Sequence, residues 1–307
     1  MRSVFNKTLL EIARENPRIF VILADIGYGE IEPFAKEFPD RFFNVGVAEQ
    51  NMTGVACGVA MEGNIAITYS IANFPTLRCL EQIRNDVCYH NANVKIVIIG
   101  GGLAYGSLGV SHHSTEDLAI MRSLPNMVVL APSDFAEAKA AVRAMIEHDG
   151  PVYYRCGYKK EPDIHKGKID FKIGRAIQVR EGRDVTLIYA GTIGCNVLRS
   201  AELLERQGLH CRVISMHTVK PIDTEIILKA ADETGVIVTI EEHNIMGGLG
   251  GAVAEVLAEG CKSHVKFKRL GLPDVHVSKV GSQQWLLAQY GLDPEGITKS
   301  VRRLIET

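Results

Sequence analysis

The sequence predicts an α/β protein with two domains, each built on a parallel or mixed sheet covered by helices. Short runs of apolar and β-branched residues alternate with amphipathic stretches along the 307 residues. The apolar runs show no polar face, which is typical of strands buried on both sides of a parallel sheet. A polar segment near the middle interrupts this alternation, which then restarts, so the pattern divides into two units.

The first predicted domain spans residues 1–160. Its apolar runs are short, rich in Val and Ile, and separated by stretches in which apolar residues recur at helical spacing. Strands are predicted at FVILA (20–24), IAIT (65–68), VKIVIIG (94–100), MVVLA (127–131) and VYY (152–154), and helices near 48–61, 76–90, 116–123 and 134–147.

A linker is predicted at residues 161–172, because CGYKKEPDIHKGKIDFK (156–172) is polar, largely basic and lacks strong periodicity. The second predicted domain spans residues 173–307, where the alternation resumes. Its strands are predicted at VTLIYAG (185–191), CRVISM (211–216), GVIVTI (235–240) and HVKFKRL (264–270), and its helices near 193–207, 222–232, 249–259 and 295–306.

Composition and charge exclude several classes of protein. The formal net charge of −2, with mixed signs, gives no electrostatic footprint for nucleic acid. No apolar run reaches the ~18 residues of a membrane span, and the first residues lack the apolar core of a signal peptide. The seven cysteines form no C-x-x-C pair, which favours small buried side chains in a reducing compartment. We therefore expect a cytoplasmic protein.

Unusual residues gather in the turns that follow the first-domain strands, at 24–30, 44–51, 68–75 and 100–113. In parallel sheets, the carboxyl ends of strands are where ligands bind. Glu49 opens a helix whose inner positions are small and apolar, so it is either a common helix-start glutamate or a site carboxylate. Phe74 is either a core residue or a surface for stacking on a flat ring.

Two histidines and an arginine have similarly open interpretations. His112 and His113 lie in a Gly-rich loop before a helix, where they could be a surface pair or could exchange protons with a substrate. Arg155 ends a strand and could bind phosphate or pair with a carboxylate. No cluster has metal-ligand spacing, and the glycines at 100–109 and 247–251 match neither a phosphate loop nor a dinucleotide fingerprint.

Read in order, the segments resemble transketolases, and the resemblance covers nearly the whole chain. The first domain is similar to the pyrimidine-binding domain of these thiamine-diphosphate enzymes, and the second to their C-terminal domain. The similarity is carried first by NVGVAEQNMTGVACGVAMEG, SIANFPTLRCLEQIRNDV, SHHSTEDLAIMRSLPNMVVLAPSD and GPVYYR, and then by GRDVTLIYAGTIGCNVL, VISMHTVKPID and VTIEEHNIMGGLGG.

The resemblance implies roles for individual residues. Glu49 matches the catalytic glutamate that hydrogen-bonds the aminopyrimidine ring of thiamine diphosphate. Phe74 matches the aromatic residue that stacks on that ring, and Asp25 lies in the family's Ala-Asp turn near the cofactor cleft. His112 matches a histidine that contacts the donor ketose, with His113 beside it as a further substrate contact. Arg155 matches an arginine that binds the sugar phosphate.

Three positions depart from the transketolase pattern. Leu108 stands where transketolases usually have an aspartate that recognises a hydroxyl group of the donor. Gly100 stands where a phosphate-contacting histidine is expected. His113 occupies a place where glutamine is usual. The positions expected to contact the substrate therefore differ from the family pattern, whereas those expected to contact the cofactor match it. We expect an atypical donor or acceptor such as a modified sugar.

The resemblance also implies a partner subunit. Transketolases hold the diphosphate and its Mg²⁺ with a separate domain that carries Gly-Asp-Gly followed by Asn, and no Gly-Asp-Gly occurs in this sequence. Met1 stands directly at the first helix of the pyrimidine-binding domain. We expect an N-terminal, transketolase-like partner that supplies the diphosphate domain, with two copies of each subunit.

Four functions remain open on sequence grounds. The main interpretation is the C-terminal subunit of a split enzyme that transfers a two-carbon ketol unit between sugars. A deoxyxylulose-phosphate-synthase-like enzyme with pyruvate as donor is a second, because Leu108 suits a donor without that hydroxyl. The others are a 2-oxoacid dehydrogenase β subunit and a non-catalytic regulatory partner.

Overall fold

Two sheets with helices packed on their faces form the structure, a computed structural model that describes residues 1–27, 29–158 and 163–306. The predicted fold class of two α/β domains is confirmed. Within those residues, six strands of the first domain run parallel to one another. They are β1 (Ile19–Leu23), β2 (Phe42–Asn44), β3 (Ile65–Ile71), β4 (Val94–Ile99), β5 (Val128–Leu130) and β6 (Val152–Cys156).

The described part of the first domain contains seven α-helices. The predicted helix at 76–90 is instead broken into two short α-helices and a π-helix at Ile83–Cys88, the kind of irregularity that often marks functional sites. The helices are α1 (Arg2–Glu15), α2 (Glu32–Glu37), α3 (Glu49–Met61), α4 (Phe74–Leu77), α5 (Leu80–Gln82), α6 (Asp117–Ser123) and α7 (Phe135–Glu147).

Between residues 163 and 306, the second domain contributes six more strands and five α-helices. The strands are β7 (Ile177–Arg180), β8 (Val185–Ala190), β9 (Cys211–Ser215), β10 (Thr218–Lys220), β11 (Val236–Asn244) and β12 (Lys266–Leu272). The helices are α8 (Gly194–Glu205), α9 (Thr224–Thr234), α10 (Leu249–Gly260), α11 (Gln283–Gln289) and α12 (Pro294–Glu306).

One strand crosses between the domains. The first sheet has the order β10-β5-β6-β4-β3-β1-β2, and β10 from the second half of the chain pairs antiparallel with β5. The second sheet has the order β12-β11-β8-β9-β7, in which β7 pairs antiparallel with β9. The two domains therefore share a sheet edge as well as a polypeptide link.

The cores explain why strands with two apolar faces form these sheets. In β1, Ile22 packs into one cluster of buried residues while Val21 and Leu23 pack into another on the opposite face. The first of these clusters continues through Ile188 and Ile214 of the second sheet, so apolar packing is continuous between the domains. Five of the seven free cysteines are buried in this interior.

The predicted boundary between residues 160 and 161 lies outside the described residues, and the division at 1–160, 161–172 and 173–307 stays a prediction. Within the described part of the chain, every helix is too short or too polar to cross a lipid bilayer.

Candidate active site

The site is built at the carboxyl edge of the first sheet, where neighbouring strands deliver its residues. The sheet order β4-β3-β1-β2 places the loops after these four strands side by side. Asp25 follows β1, Glu49 follows β2, Phe74 follows β3, and His112 lies in the loop after β4. Parallel strands bring their carboxyl ends to the same edge, so residues distant in sequence meet there.

Glu49 is a buried carboxylate with a strong partner. It is the first residue of α3 and its side chain is only 2% exposed. Its Oε2 accepts a hydrogen bond of 2.6 Å from Nη1 of Arg78, whose side chain is 47% exposed. The helix dipole and this cation both stabilise the carboxylate, which offsets the cost of its burial.

An aromatic ring lies against this ion pair, and an imidazole lies against that ring. The guanidinium carbon of Arg78 lies 5.0 Å from the ring centroid of Phe74, within the range of a cation–π contact. The Phe74 ring meets the His112 ring edge to face, with centroids 5.2 Å apart. The structure thus brings Glu49, Phe74 and His112 into one array, with Arg78 between the first two.

The loop that carries His112 is closed at its base. Gly102 and Ser114 exchange two backbone hydrogen bonds of 2.9 Å, so residues 103–113 form a loop between paired ends. Within it, Nδ1 of His112 lies 3.0 Å from Oγ of Ser111, and its ring centroid lies 6.0 Å from that of Tyr105. His112 is half-buried, so the residue remains partly accessible.

Asp25 lies at the same sheet edge, in a turn it shares with Asn44. It adopts φ of 52°, and its backbone N–H donates to Oδ1 of Asn44 at 3.0 Å. The Asn44 amide in turn donates to the Asp25 carboxylate at 3.1 Å. This pair joins the ends of β1 and β2 just before α3 begins.

Two predicted substrate residues are buried. The side chain of His113 is only 3% exposed, and burial lowers its pKa, which keeps the ring neutral. Arg155 is 5% exposed, and its Nε and Nη2 donate to both carboxylate oxygens of Asp117 at 2.7 and 3.2 Å. Nη2 also donates to the carbonyls of Ser114 and Glu242. These contacts favour a structural role for Arg155 over the expected contact with a sugar phosphate.

Arg78 and Tyr105 belong to the array but were not singled out from the sequence. A usable signal existed for Arg78, since it follows Phe74 by four residues and that spacing brings side chains together on one helical face. Tyr105 gave no such signal, because its contact with His112 depends on how the loop folds. Its ring also packs at a tilt against that of Tyr158, with centroids 4.5 Å apart and an interplanar angle of 42°.

The arrangement fits a flat heterocycle that both stacks and forms hydrogen bonds. Phe74 offers a half-buried aromatic ring, and Glu49 offers a carboxylate shielded from water a short distance away. Such a pair can hold the aminopyrimidine of thiamine diphosphate, the group that the sequence resemblance implies. Among the residues that the structure describes, no group of three or more His, Cys, Asp or Glu side chains could hold a metal ion.

Two family models match the chain. The model described as the pyrimidine binding domain of transketolase matches residues 1–158, and the model of the transketolase C-terminal domain matches residues 174–297. Together they cover most of the sequence and agree with the two sheets.

Several similar proteins are named as sections or subunits of transketolases. A Methanocaldococcus jannaschii protein named as a putative transketolase C-terminal section is 42% identical over 98% of this chain and 95% of its own. One subunit of an apulose-4-phosphate transketolase from Phocaeicola vulgatus is 38% identical over 99% of this chain and 97% of its own. A subunit of the 6-deoxy-6-sulfo-D-fructose transketolase of a Clostridium species is 37% identical over 100% of this chain and 94% of its own.

The chain is also similar to a solved structure and to a second group of enzymes. A split-gene transketolase, described as an inactive β4 tetramer, superimposes with a TM-score of 0.89 at 40% identity, over 99% of this chain and 97% of that chain. The 1-deoxy-D-xylulose-5-phosphate synthase 1 of Geobacter sulfurreducens is 37% identical over 99% of this chain, which spans only 48% of that enzyme.

Proposed function

This chain belongs to the transketolase family, and from that membership we propose which residues bind the cofactor and the sugars. It is a transketolase-type subunit, and its activity is transfer of a two-carbon ketol unit together with a partner subunit. The observation that carries the residue assignment is the buried Glu49 carboxylate beside the half-buried ring of Phe74, joined by Arg78.

Glu49 is the catalytic residue in this proposal. Its carboxylate shares a proton with the aminopyrimidine ring, and burial at 2% exposure keeps water from competing for that proton. Phe74 stacks on the ring and fixes its plane. Asp25 borders the same cleft from the neighbouring turn. When bound, thiamine diphosphate supplies the electron sink that allows a carbon–carbon bond beside a ketone to break and form.

His112 is the substrate residue with support from geometry. It contacts Phe74 and remains half-exposed, so its imidazole can hydrogen-bond a sugar bound at this edge of the sheet. His113 is the last residue of that loop and is 3% exposed, so in the proposal it supports the substrate site from the buried side of His112. Arg155 has its Nε and Nη2 groups engaged by protein acceptors, which speaks against direct phosphate binding by those groups.

The proposed partner is an N-terminal transketolase-like subunit that holds the diphosphate and Mg²⁺, with two copies of each chain. Support comes from the similar split-gene transketolase, whose tetramer of β chains is described as inactive. It also comes from relatives named as a C-terminal section and as one subunit of a transketolase. We further propose that the complex works in the cytoplasm.

The proposed sugars are modified ones. Two relatives are named for apulose 4-phosphate and 6-deoxy-6-sulfo-D-fructose, neither of which is an ordinary pentose phosphate. Leu108 lies in the His112 loop and is 53% exposed, so it presents an apolar surface near the site. Full housekeeping-level activity with xylulose 5-phosphate and ribose 5-phosphate would refute this choice of substrate.

A second candidate is acyloin formation with pyruvate as donor. Its support is the similarity to deoxyxylulose-phosphate synthases over nearly the whole chain, although the chain spans about half of those enzymes. Carbon dioxide release from pyruvate, measured with the partner present, separates this reaction from ketol transfer. A third possibility is a non-catalytic regulatory subunit, and an activity that is independent of Glu49 would favour it.

One experiment tests the proposal directly. This chain is purified from its host by affinity capture, and co-purifying proteins are identified. A stoichiometric partner with Gly-Asp-Gly and a downstream Asn is expected, and the complex should bind thiamine diphosphate. Glu49→Gln should then lower turnover by at least about a hundredfold while leaving the complex assembled. Capture of a lone oligomer without cofactor, or normal turnover in the variant, would contradict the proposal.

A further inference from the structure

The carboxyl end of β11, in the second domain, touches the loop that carries His112. Glu242 on this strand is 2% exposed, and its Oε1 accepts a hydrogen bond of 2.7 Å from the backbone N–H of Leu103. The side-chain amide of Gln283 donates to both oxygens of the same carboxylate at 3.0 Å. One buried charge therefore binds the first-domain loop and α11 together.

Backbone contacts extend this attachment along the loop. The N–H of Asn244 donates to the carbonyl of Thr115 at 2.8 Å, just beyond the paired base of the loop. The N–H of Gly281 donates to the carbonyl of Gly106 at 3.2 Å, near its middle. The second domain thus contacts the loop at Leu103 and Gly106 and the chain just beyond its base at Thr115.

The loop and its base approach the second domain so closely that Gly102 and Gly106 have no room for a Cβ. A Cβ at Gly102 would lie 2.6 Å from Cδ of Glu242, and Gly102 also has φ of 66°. A Cβ at Gly106 would lie 2.5 Å from Cδ1 of Leu286 and 2.7 Å from the carbonyl oxygen of Gly281. These glycines serve packing against the second domain.

We propose that the second domain positions the substrate loop through Glu242, so that Glu242 is a positioning residue for His112. A buried carboxylate with these donors gives the loop a charge-assisted anchor in a water-poor setting. The anchor itself follows from contacts within this chain, whereas its effect on turnover rests on the proposed function of His112. In this proposal the C-terminal domain helps to set substrate geometry.

The matched control is Glu241, the preceding residue on the same strand. It is 1% exposed and caps α10 by accepting hydrogen bonds from the N–H groups of Leu249 and Gly250 at 2.7 and 2.8 Å. Glu241→Gln therefore removes a buried carboxylate of equal type without touching the loop. Gln283→Met provides a milder variant, since it removes one donor to Glu242 and keeps the apolar bulk.

The experiment compares these variants by hydrogen–deuterium exchange and by kinetics of the complex with its partner. In Glu242→Gln, amides at 103–113 should exchange about tenfold faster or more, and kcat/KM for the ketose donor should fall about tenfold to hundredfold through KM. Thiamine diphosphate affinity should stay unchanged. Gln283→Met should show the same pattern more weakly, and Glu241→Gln should show neither effect.

The outcomes distinguish failure of the loop anchor from failure of the positioning role. Unchanged exchange at 103–113 in both loop-anchor variants, or an equal change in Glu241→Gln, would overturn the anchor. Faster exchange with an unaltered KM for the donor would overturn the positioning role. Exchange needs no turnover, so a wild-type complex that transfers no ketol unit would refute the proposed function and leave the anchor to be judged by exchange.

Discussion

The ion pair between Asp117 and Arg155 offers a test of the structural role assigned to this arginine. The two side chains are 1% and 5% exposed, and Arg155 donates to both oxygens of the carboxylate. The Tyr153 hydroxyl donates to the same carboxylate at 2.7 Å. Burial is the strongest single influence and acts against ionisation of Asp117. The attraction of Arg155 and His243 and the hydrogen bonds from Arg155 and Tyr153 together outweigh it and lower the pKa of the carboxyl.

Asp117→Asn removes the countercharge and keeps the shape. Breaking a buried pair from one side typically costs about 3–5 kcal/mol, because it leaves an uncompensated buried charge. At about 2–4 °C per kcal/mol for a chain of several hundred residues, the melting temperature should fall by roughly 6–20 °C. Urea unfolding and differential scanning calorimetry measure the two quantities independently.

Two further variants make the test specific. Asp170→Asn is the control, since Asp170 pairs with Lys172 at the surface with 82% of its side chain exposed, and its loss should cost less than about 1 kcal/mol. Replacing both partners, as Asp117→Leu with Arg155→Met, should cost less than the sum of the single changes. A loss below about 1 kcal/mol in Asp117→Asn would refute the structural assignment and return Arg155 to the candidates for phosphate binding.

Three further predictions concern the site and pH. Leu108→Asp should raise kcat/KM for hydroxylated ketose phosphates about tenfold, through a new charge-assisted hydrogen bond; no change in a donor series would argue against Leu108 as a specificity residue. Arg78→Met should lower turnover of the complex about tenfold or more, because the buried Glu49 carboxylate loses its ion-pair partner; unchanged turnover would contradict that role. Burial lowers the pKa of His217 to about 3, below its unfolded value of about 6.5, so the unfolded chain binds the extra proton between these pH values. His217 should therefore contribute a fall of about 1.4 kcal/mol per pH unit to the free energy of unfolding on acidification through this window. In urea titrations, His217→Phe should reduce the slope by that amount, and an unchanged slope would contradict the role of His217.

Local sequence patterns were sufficient for most of the fold. Every strand predicted from an apolar run is present, with ends that differ by a few residues, as in β11, which continues to Asn244. The strands that were not predicted, β2, β7 and β10, are three or four residues long. Their runs are too short for periodicity to appear, and they form because a neighbouring strand supplies hydrogen-bond partners.

The residues of the candidate site were also only partly predictable from the sequence. Family motifs were enough to single out Glu49, Phe74 and His112, and the sheet order then brings these three residues to one edge. The same motifs suggested phosphate binding for Arg155, and nothing near it in the sequence predicted a buried partner at Asp117, 38 residues away.

By itself, the sequence determined the two α/β units, the family and the edge of the sheet where the candidate site lies. These follow from residue period and from motifs that are contiguous in the chain. Only the tertiary structure decided that β10 joins the first sheet, that Arg78 pairs with Glu49, and that Glu242 anchors the loop of His112. Such pairings depend on burial and on distances between segments far apart in the chain, which no local pattern encodes.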